Sequence, residues 1–300
     1  MAREDEKIFL LMGDIGNRLF NDFSAQNPER FLNCGIAEAN MISVACGLAN
    51  GGFKPVCYTI APFVTARCYE QIRIDVGYHG SNVIMIGTGS GLSYASLGAT
   101  HHGFDDIALM RAIPGIDIFS PCDSNDVYAC LGAAFESPRP AYIRIGKKGE
   151  PTMLPDIPTV KIGKMEMYRP GRDICVLSSG TTLSVCVEAA KMLEREGISA
   201  SVVRCPCVKP LDTEFLRDEV MSNYQLVVSV EEHSLCGGFG SAVAEFIVDS
   251  GLGDGVRFVR VGIPDEFIHQ IGSQEYVRKK CGIDAESIAA KITQCLSEEI

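Results

Sequence analysis

Glu38 lies in F-L-N-C-G-I-A-E-A-N-M-I, among small and apolar residues, where a short strand pattern gives way to a helical one. A carboxyl group desolvated there would have its pKa raised and could exchange a proton with a ligand nitrogen. The alternative is a helix-start glutamate facing water, favoured by the helix dipole. His101 and His102 form a second constellation in G-A-T-H-H-G, in a long polar loop after a buried strand. Open α/β sheets place ligands at the carboxyl ends of their parallel strands. Two of the chain's five histidines in such a loop suggest a ligand role. Ordering the loop is the competing role. No third ligand stands at zinc spacing, so no zinc site is expected.

Three glycine-containing turns raise the question of nucleotide binding. Gly87-Thr88-Gly89-Ser90-Gly91 follows a strand, but the third fingerprint glycine and the opening helix of a dinucleotide site are missing. Ser178–Thr182 precedes a helix and could offer amides to an anion; a hydroxyl helix cap is the plainer reading. Gly237–Gly240 also opens a helix, where packing explains the glycines. A G-x-x-x-x-G-K-[ST] loop is lacking, which argues against a P-loop NTPase.

The elements that must hold these residues follow from patterning. At about 100–200 residues per domain, 300 residues imply two domains. The formal net charge of −11 argues against a general nucleic-acid or anionic-membrane binder, though not against a small basic pocket. The 13 cysteines sit mostly in apolar runs, as in P-V-C-Y-T-I and D-I-C-V-L, which reads as reduced, buried thiols of a cytosolic protein. A signal peptide and an apolar stretch long enough to span a membrane are both lacking.

Strands are expected at 8–12, 31–34, 54–60, 83–88, 116–120 and 141–145. Helices are expected at 17–26, 37–50, 62–77, 107–113 and 125–136. Four prolines and Lys147-Lys148-Gly149 interrupt the pattern between Gly146 and Gly171, giving domains at 1–150 and 171–300 with a linker at 151–170. The second half resumes with strands at 174–178, 200–205, 225–230 and 257–261. Its helices are expected at 182–196, 240–250 and 285–296. Alternating strands and helices imply two α/β domains with mostly parallel, covered sheets.

Taken together, these segments resemble the transketolase family. G-I-A-E-A-N-M-I-S-V-A-C-G-L-A-N-G-G-F-K-P is similar to its pyrimidine-domain motif, and F-V-T-A-R-C-Y-E-Q-I-R (63–73) to the following helix. G-A-T-H-H-G-F-D-D-I-A-L-M-R-A-I-P resembles its T-H-Q loop. P-C-D-S-N-D-V and R-I-G-K continue the likeness. V-V-R-C-P-C-V-K-P-L-D and V-E-E-H-S-L-C-G-G-F-G resemble its C-terminal domain. The likeness runs through nearly the whole chain in order. The family's G-D-G…N motif, which binds diphosphate and metal, is missing; Gly13-Asp14-Ile15 lacks the second glycine. The resemblance therefore implies the carboxy-terminal subunit of a split transketolase. Such a subunit would use thiamine diphosphate with magnesium held by an N-terminal partner subunit, in an α₂β₂ assembly.

The resemblance also implies roles. Glu38 takes the place of the glutamate that bonds N1′ of the cofactor's aminopyrimidine, with Asp14, Ile36, Phe63 and Arg67 around the cofactor. A helix N-cap competes for Asp14, a core position for Phe63, and a surface salt bridge for Arg67 and Arg73. His101 matches the histidine that meets substrate hydroxyls and is the candidate for proton transfer to substrate; His102 stands behind it. Lys147 replaces an arginine that binds the acceptor's phosphate, without that side chain's bidentate geometry. Leu97 replaces an aspartate that reads the acceptor's 2-hydroxyl, and Gly89 replaces a phosphate-binding histidine. Both departures point to unusual sugars and a specialised pathway. Glu231, Glu232 and His233 are expected at the domain interface. The competing readings are the β-subunit of a 2-oxo-acid dehydrogenase, deoxyxylulose-phosphate synthase, and a non-catalytic α/β regulatory module.

Overall fold

The computed structural model describes residues 1–16 and 18–298. The first half contributes six strands: β1 (Ile8–Met12), β2 (Phe31–Asn33), β3 (Lys54–Ile60), β4 (Ile84–Thr88), β5 (Asp117–Phe119) and β6 (Ala141–Ile145). The second half adds β7 (Glu166–Arg169), β8 (Ile174–Ser179), β9 (Ala200–Arg204), β10 (Cys207–Lys209), β11 (Leu226–Ser234) and β12 (Arg257–Ile263). The helices are α1 (Asn21–Gln26), α2 (Glu38–Asn50), α3 (Ala61–Thr65), α4 (Tyr69–Gln71, continued by π-helical turns over Ile72–Tyr78), α5 (Asp106–Arg111) and α6 (Ser124–Glu136). They continue with α7 (Leu183–Arg195), α8 (Thr213–Phe215, continued by π-helical turns over Leu216–Met221), α9 (Phe239–Ser250), α10 (Gln274–Lys280) and α11 (Ala285–Ser297).

A seven-stranded sheet runs in the order β10-β5-β6-β4-β3-β1-β2, and a five-stranded sheet in the order β12-β11-β8-β9-β7. All pairings within the first six strands are parallel. Strand β3 shows why: from Pro55 to Ile60 every residue is buried, as a strand covered on both faces requires. The two edge pairings of β10 and β7 are antiparallel.

β10 comes from the second half of the chain yet completes the first half's sheet, with Ser120 N–H donating to Pro206 O at 2.8 Å. Its three residues stand between Pro206 and Pro210 and show no strand pattern of their own. The stretch 151–170 is also tied down. Met153 and Leu154 N–H donate to Asp123 Oδ2, and its last residues form β7 against β9. One apolar cluster runs through both halves, from Leu11, Met41 and Met85 to Val203, Val208 and Val243.

The helix expected over 62–77 is broken between α3 and α4. Thr65 Oγ1 donates back to Ala61 O at 2.8 Å within the first turn, a local bond that competes with regular helix. The helix expected from residue 17 begins at Asn21, and Asn17 itself lies outside the described residues. The strands β7 and β10 and the helices α8 and α10 were not anticipated. α8 opens on a capped turn, Asp212 accepting from Phe215 N–H. α10 buries only Val277, so it carries no apolar stripe; Ser273 caps it by accepting from Tyr276 N–H.

The parallel strands all deliver their carboxyl ends to one side. Asp14 follows β1, Ile36 and Glu38 follow β2, Phe63 and Arg67 follow β3, His101 follows β4, and Lys147 follows β6.

Candidate active site

Glu38 opens α2 and is 2% exposed, so the water-facing alternative does not hold. No side chain among the described residues caps this helix start. The turn before it is built by Gly35 at φ 68° and by Asn33, whose Oδ1 accepts from Gly35 N–H at 2.9 Å. Glu38 Oε2 accepts from Arg67 Nη1 at 2.7 Å, while no group among the described residues donates to Oε1. Gly13 leaves room above the carboxyl group: a Cβ there would lie 3.6 Å from Glu38 Oε1 and 2.9 Å from Thr59 Oγ1. Thr59 Oγ1 is itself buried without a partner among the described residues.

Arg67 is not an isolated surface charge. Its guanidinium sits 4.3 Å from the centroid of the half-buried Phe63 ring while pairing with Glu38. Arg73 is exposed and makes no ion pair among the described residues. The Phe63 ring meets His101 edge-on at 5.4 Å. His101 Nδ1 shares a 2.9 Å hydrogen bond with Thr100 Oγ1. Asp14 is no helix cap, since α1 begins at Asn21 behind Phe20. Instead its Oδ1 accepts from Asn33 Nδ2 at 3.0 Å, and its N–H donates to Gly35 O, bracing the turn that carries Glu38. Ile36, on that turn, is 83% exposed.

His102 points the other way from its neighbour. It is buried, neither ring nitrogen completes a hydrogen bond among the described residues, and burial pushes its pKa down. Leu97 is half-exposed on a short 3₁₀ turn. Lys147 is exposed and lines a cavity of about 400 Å³ between the halves, with Asp123, Ser124, Lys148 and Thr181. Its ammonium stands 4.9 Å from the centroid of Tyr94.

Tyr94 was not anticipated. Its ring meets His101 at 5.9 Å and so joins Lys147 to the residues around Glu38. The only signal in the sequence is one aromatic residue in a loop of glycine and serine. The structure thus brings Glu38, Arg67, Phe63, His101, Tyr94 and Lys147 into one chain of contacts.

The loop carrying His101 is anchored from the second half. Glu232 Oε1 accepts from Leu92 N–H at 2.5 Å and from Gln274 Nε2 at 2.9 Å, and Arg278 Nε bonds Oε2. Gly91, at φ +61°, is required there because any Cβ would collide with Glu232. Beneath the loop, Asp106 Oδ2 accepts from Tyr142 Oη at 2.7 Å and Arg144 Nε at 3.0 Å. Arg144 also donates to Gly103 O and Glu232 O. Glu231 accepts from Phe239 and Gly240 N–H at the start of α9, and burial still raises its pKa to about 7. Burial lowers that of His233 to about 4.

Two α/β domains with mostly parallel sheets, the candidate side chains collected over the strand ends of one of them, define the fold class. Comparison with known proteins gives the family. The pyrimidine-binding-domain model of transketolase matches residues 1–151, and the transketolase C-terminal-domain model matches residues 163–288. The chain is 38% identical over 266 residues to one of the subunits of the apulose-4-phosphate transketolase of Actinobacillus succinogenes, covering 89% of this chain and 85% of that protein. It is 33% identical to the 6-deoxy-6-sulfo-D-fructose transketolase subunit SqwH of a Clostridium species, covering 96% and 88%. A solved split-gene transketolase, described as an inactive β4 tetramer, superposes with a TM-score of 0.87 at 34% identity over 99% of this chain and 94% of that one.

The chain belongs to the transketolase family and corresponds in extent to the carboxy-terminal subunit of a split transketolase. Membership implies dependence on thiamine diphosphate. No helix among the described residues is long and apolar enough to cross a membrane.

Proposed function

We propose that this chain forms a transketolase with an N-terminal partner subunit and passes a two-carbon ketol unit from a ketose to an aldehyde. The partner would supply the diphosphate and magnesium ligands, in an α₂β₂ assembly. One observation carries the reading. The buried carboxyl group of Glu38 has one oxygen held by Arg67 and the other without a donor among the described residues, beside the half-buried Phe63 ring. An aminopyrimidine fits that arrangement. Its ring nitrogen would meet Oε1, and the gap left by Gly13 and the unpartnered Thr59 Oγ1 borders the same space.

Thiamine diphosphate, when bound, supplies the carbon nucleophile that carries the ketol unit. The chain's residues do the rest. Glu38 exchanges a proton with N1′ of the pyrimidine, and Arg67 holds its carboxylate in place. Phe63 packs against the ring face. Ile36 and Asp14 border the cofactor on the exposed turn, where the partner subunit can reach it. His101 bonds substrate hydroxyls and transfers a proton there, with His102 behind it. Lys147 receives the acceptor's anionic group. Leu97 and Gly89 remove two polar contacts to ordinary sugar phosphates, which favours other substrates.

Cofactor titration of this chain alone and mixed with its partner tests the shared site. Weak binding alone and tight magnesium-dependent binding after mixing are expected. Tight binding by the isolated chain would contradict the reading. Pyruvate decarboxylation in place of ketol transfer would turn it to the 2-oxo-acid dehydrogenase alternative. Use of ribose 5-phosphate and xylulose 5-phosphate at ordinary transketolase efficiency would end the case for unusual sugars.

A further inference from the structure

Gly89 directly follows β4 and has φ +73°, and a Cβ on it would collide with the Tyr94 ring. The ring therefore lies against the Gly89 backbone and fills the space that a side chain at 89 would need. The two positions exclude one another: a residue at 89 can carry a side chain only if the ring leaves. The ring also meets His101 at 5.9 Å and Lys147 Nζ at 4.9 Å. Lys147 makes no ion pair among the described residues, so its one charge contact is with the ring that also meets His101. An ammonium over an aromatic face keeps its charge and its donors for a third group.

We propose that Tyr94 is a specificity-determining residue of the substrate site. It closes the corner vacated at Gly89 and positions Lys147 to take a terminal oxyanion, phosphate or sulfonate, on a short hydroxylated carbon chain whose hydroxyl meets His101. This rests on the transketolase reading only for the identity of the reaction. The shelf itself is defined by Gly89, Tyr94, His101 and Lys147.

The test uses the assembled complex and three probes that cannot react: glycerol 3-phosphate, 2,3-dihydroxypropane-1-sulfonate and uncharged glycerol. Calorimetry should show one or both anions binding well above glycerol, and the tighter anion identifies the terminal group. Tyr94→Ala should weaken the anions about three- to tenfold and leave glycerol unchanged, as loss of one cation–π contact requires. Tyr94→Phe keeps the ring and should bind like the wild type, which separates the shelf from damage to the fold. Lys147→Ala should lose the anions more completely. The proposal is overturned if the wild type binds neither anion better than glycerol, if Tyr94→Ala binds them as the wild type does, or if Tyr94→Phe behaves like Tyr94→Ala. Ketol transfer by the wild-type complex is measured separately. Its absence alongside Tyr94-dependent anion binding removes the reaction and leaves the shelf. Its presence with anion binding indifferent to Tyr94 removes the shelf and leaves the reaction.

Discussion

Replacing Glu38 by glutamine separates a working carboxyl group from a structural one. The side chain is 3% exposed and its partner Arg67 44%. Solvent screens the half-exposed guanidinium, which limits the net worth of the pair to about 1 kcal/mol or less. Glutamine has nearly the same volume, and its carbonyl can still accept from Arg67. It also removes the cost of burying a charge. Stability should therefore change by no more than about 1 kcal/mol in either direction. Activity should behave differently. Positioned proton transfer contributes roughly 10²–10⁴-fold to rate, or about 3–5 kcal/mol of barrier. Urea unfolding of the chain gives the first quantity. Ketol transfer by the complex at saturating cofactor gives the second. A variant that keeps more than about a tenth of wild-type activity would refute the proton-exchange role, since even the low end of that range demands about a hundredfold loss. A stability loss above about 3 kcal/mol, the size expected for a broken buried ion pair, would instead assign Glu38 to the fold.

Glu232→Ala leaves the nearly buried Arg278 and the Leu92 N–H without their partner, and should cost about 3–5 kcal/mol in urea unfolding; a change under about 1 kcal/mol would show that the loop is held by other contacts. Glu231 and His233 should give opposed pH slopes. Glu231 has its pKa raised from 4.5 to about 7, so the folded state holds the extra proton and stability falls as pH rises through that window. His233 has its pKa lowered from 6.5 to about 4, so the unfolded state holds the extra proton and stability rises with pH there. The slopes oppose each other between pH 4.5 and 6.5. Glu231→Gln should expose the histidine alone, with stability falling by roughly 3 kcal/mol as pH drops from the unfolded to the folded His233 value. Urea midpoints of this variant that stay level over that range would rule the assignment out.

The sequence made the buried parallel strands plain because both their faces are covered. β1, β3 and β6 fall at the expected residues, and β4 and β5 within a residue or two. What stayed hidden depends on partners far along the chain. β10 pairs with the open edge of β5, and α10 is tied through Gln274 and Arg278 to Glu232. The same division holds at the site. Glu38 and His101 were visible as residue types near the ends of expected strands, and Phe63 and Lys147 as candidates through the family resemblance. Arg67 as the partner of Glu38, and Tyr94 as the link from His101 to Lys147, required coordinates because neither contact follows from spacing. Asp14 shows the reverse: its place before an expected helix left a cap open as the alternative to a place near the cofactor, and the helix begins too late to use that cap.

The position of β10 has a consequence for how the larger sheet meets other molecules. A sheet edge is an invitation to further strands, and proteins take care to withdraw it. Here the outer side of β5 is already occupied by Cys207–Lys209, under the constraint of two flanking prolines. Among the described residues, the two edges of that sheet are then β10 and β2, each three residues long, with β2 braced through Asn33 to Asp14. The second half of the chain thus supplies one border of the first half's sheet, a three-residue strand between prolines. The other short border lies beside the turn that carries Glu38.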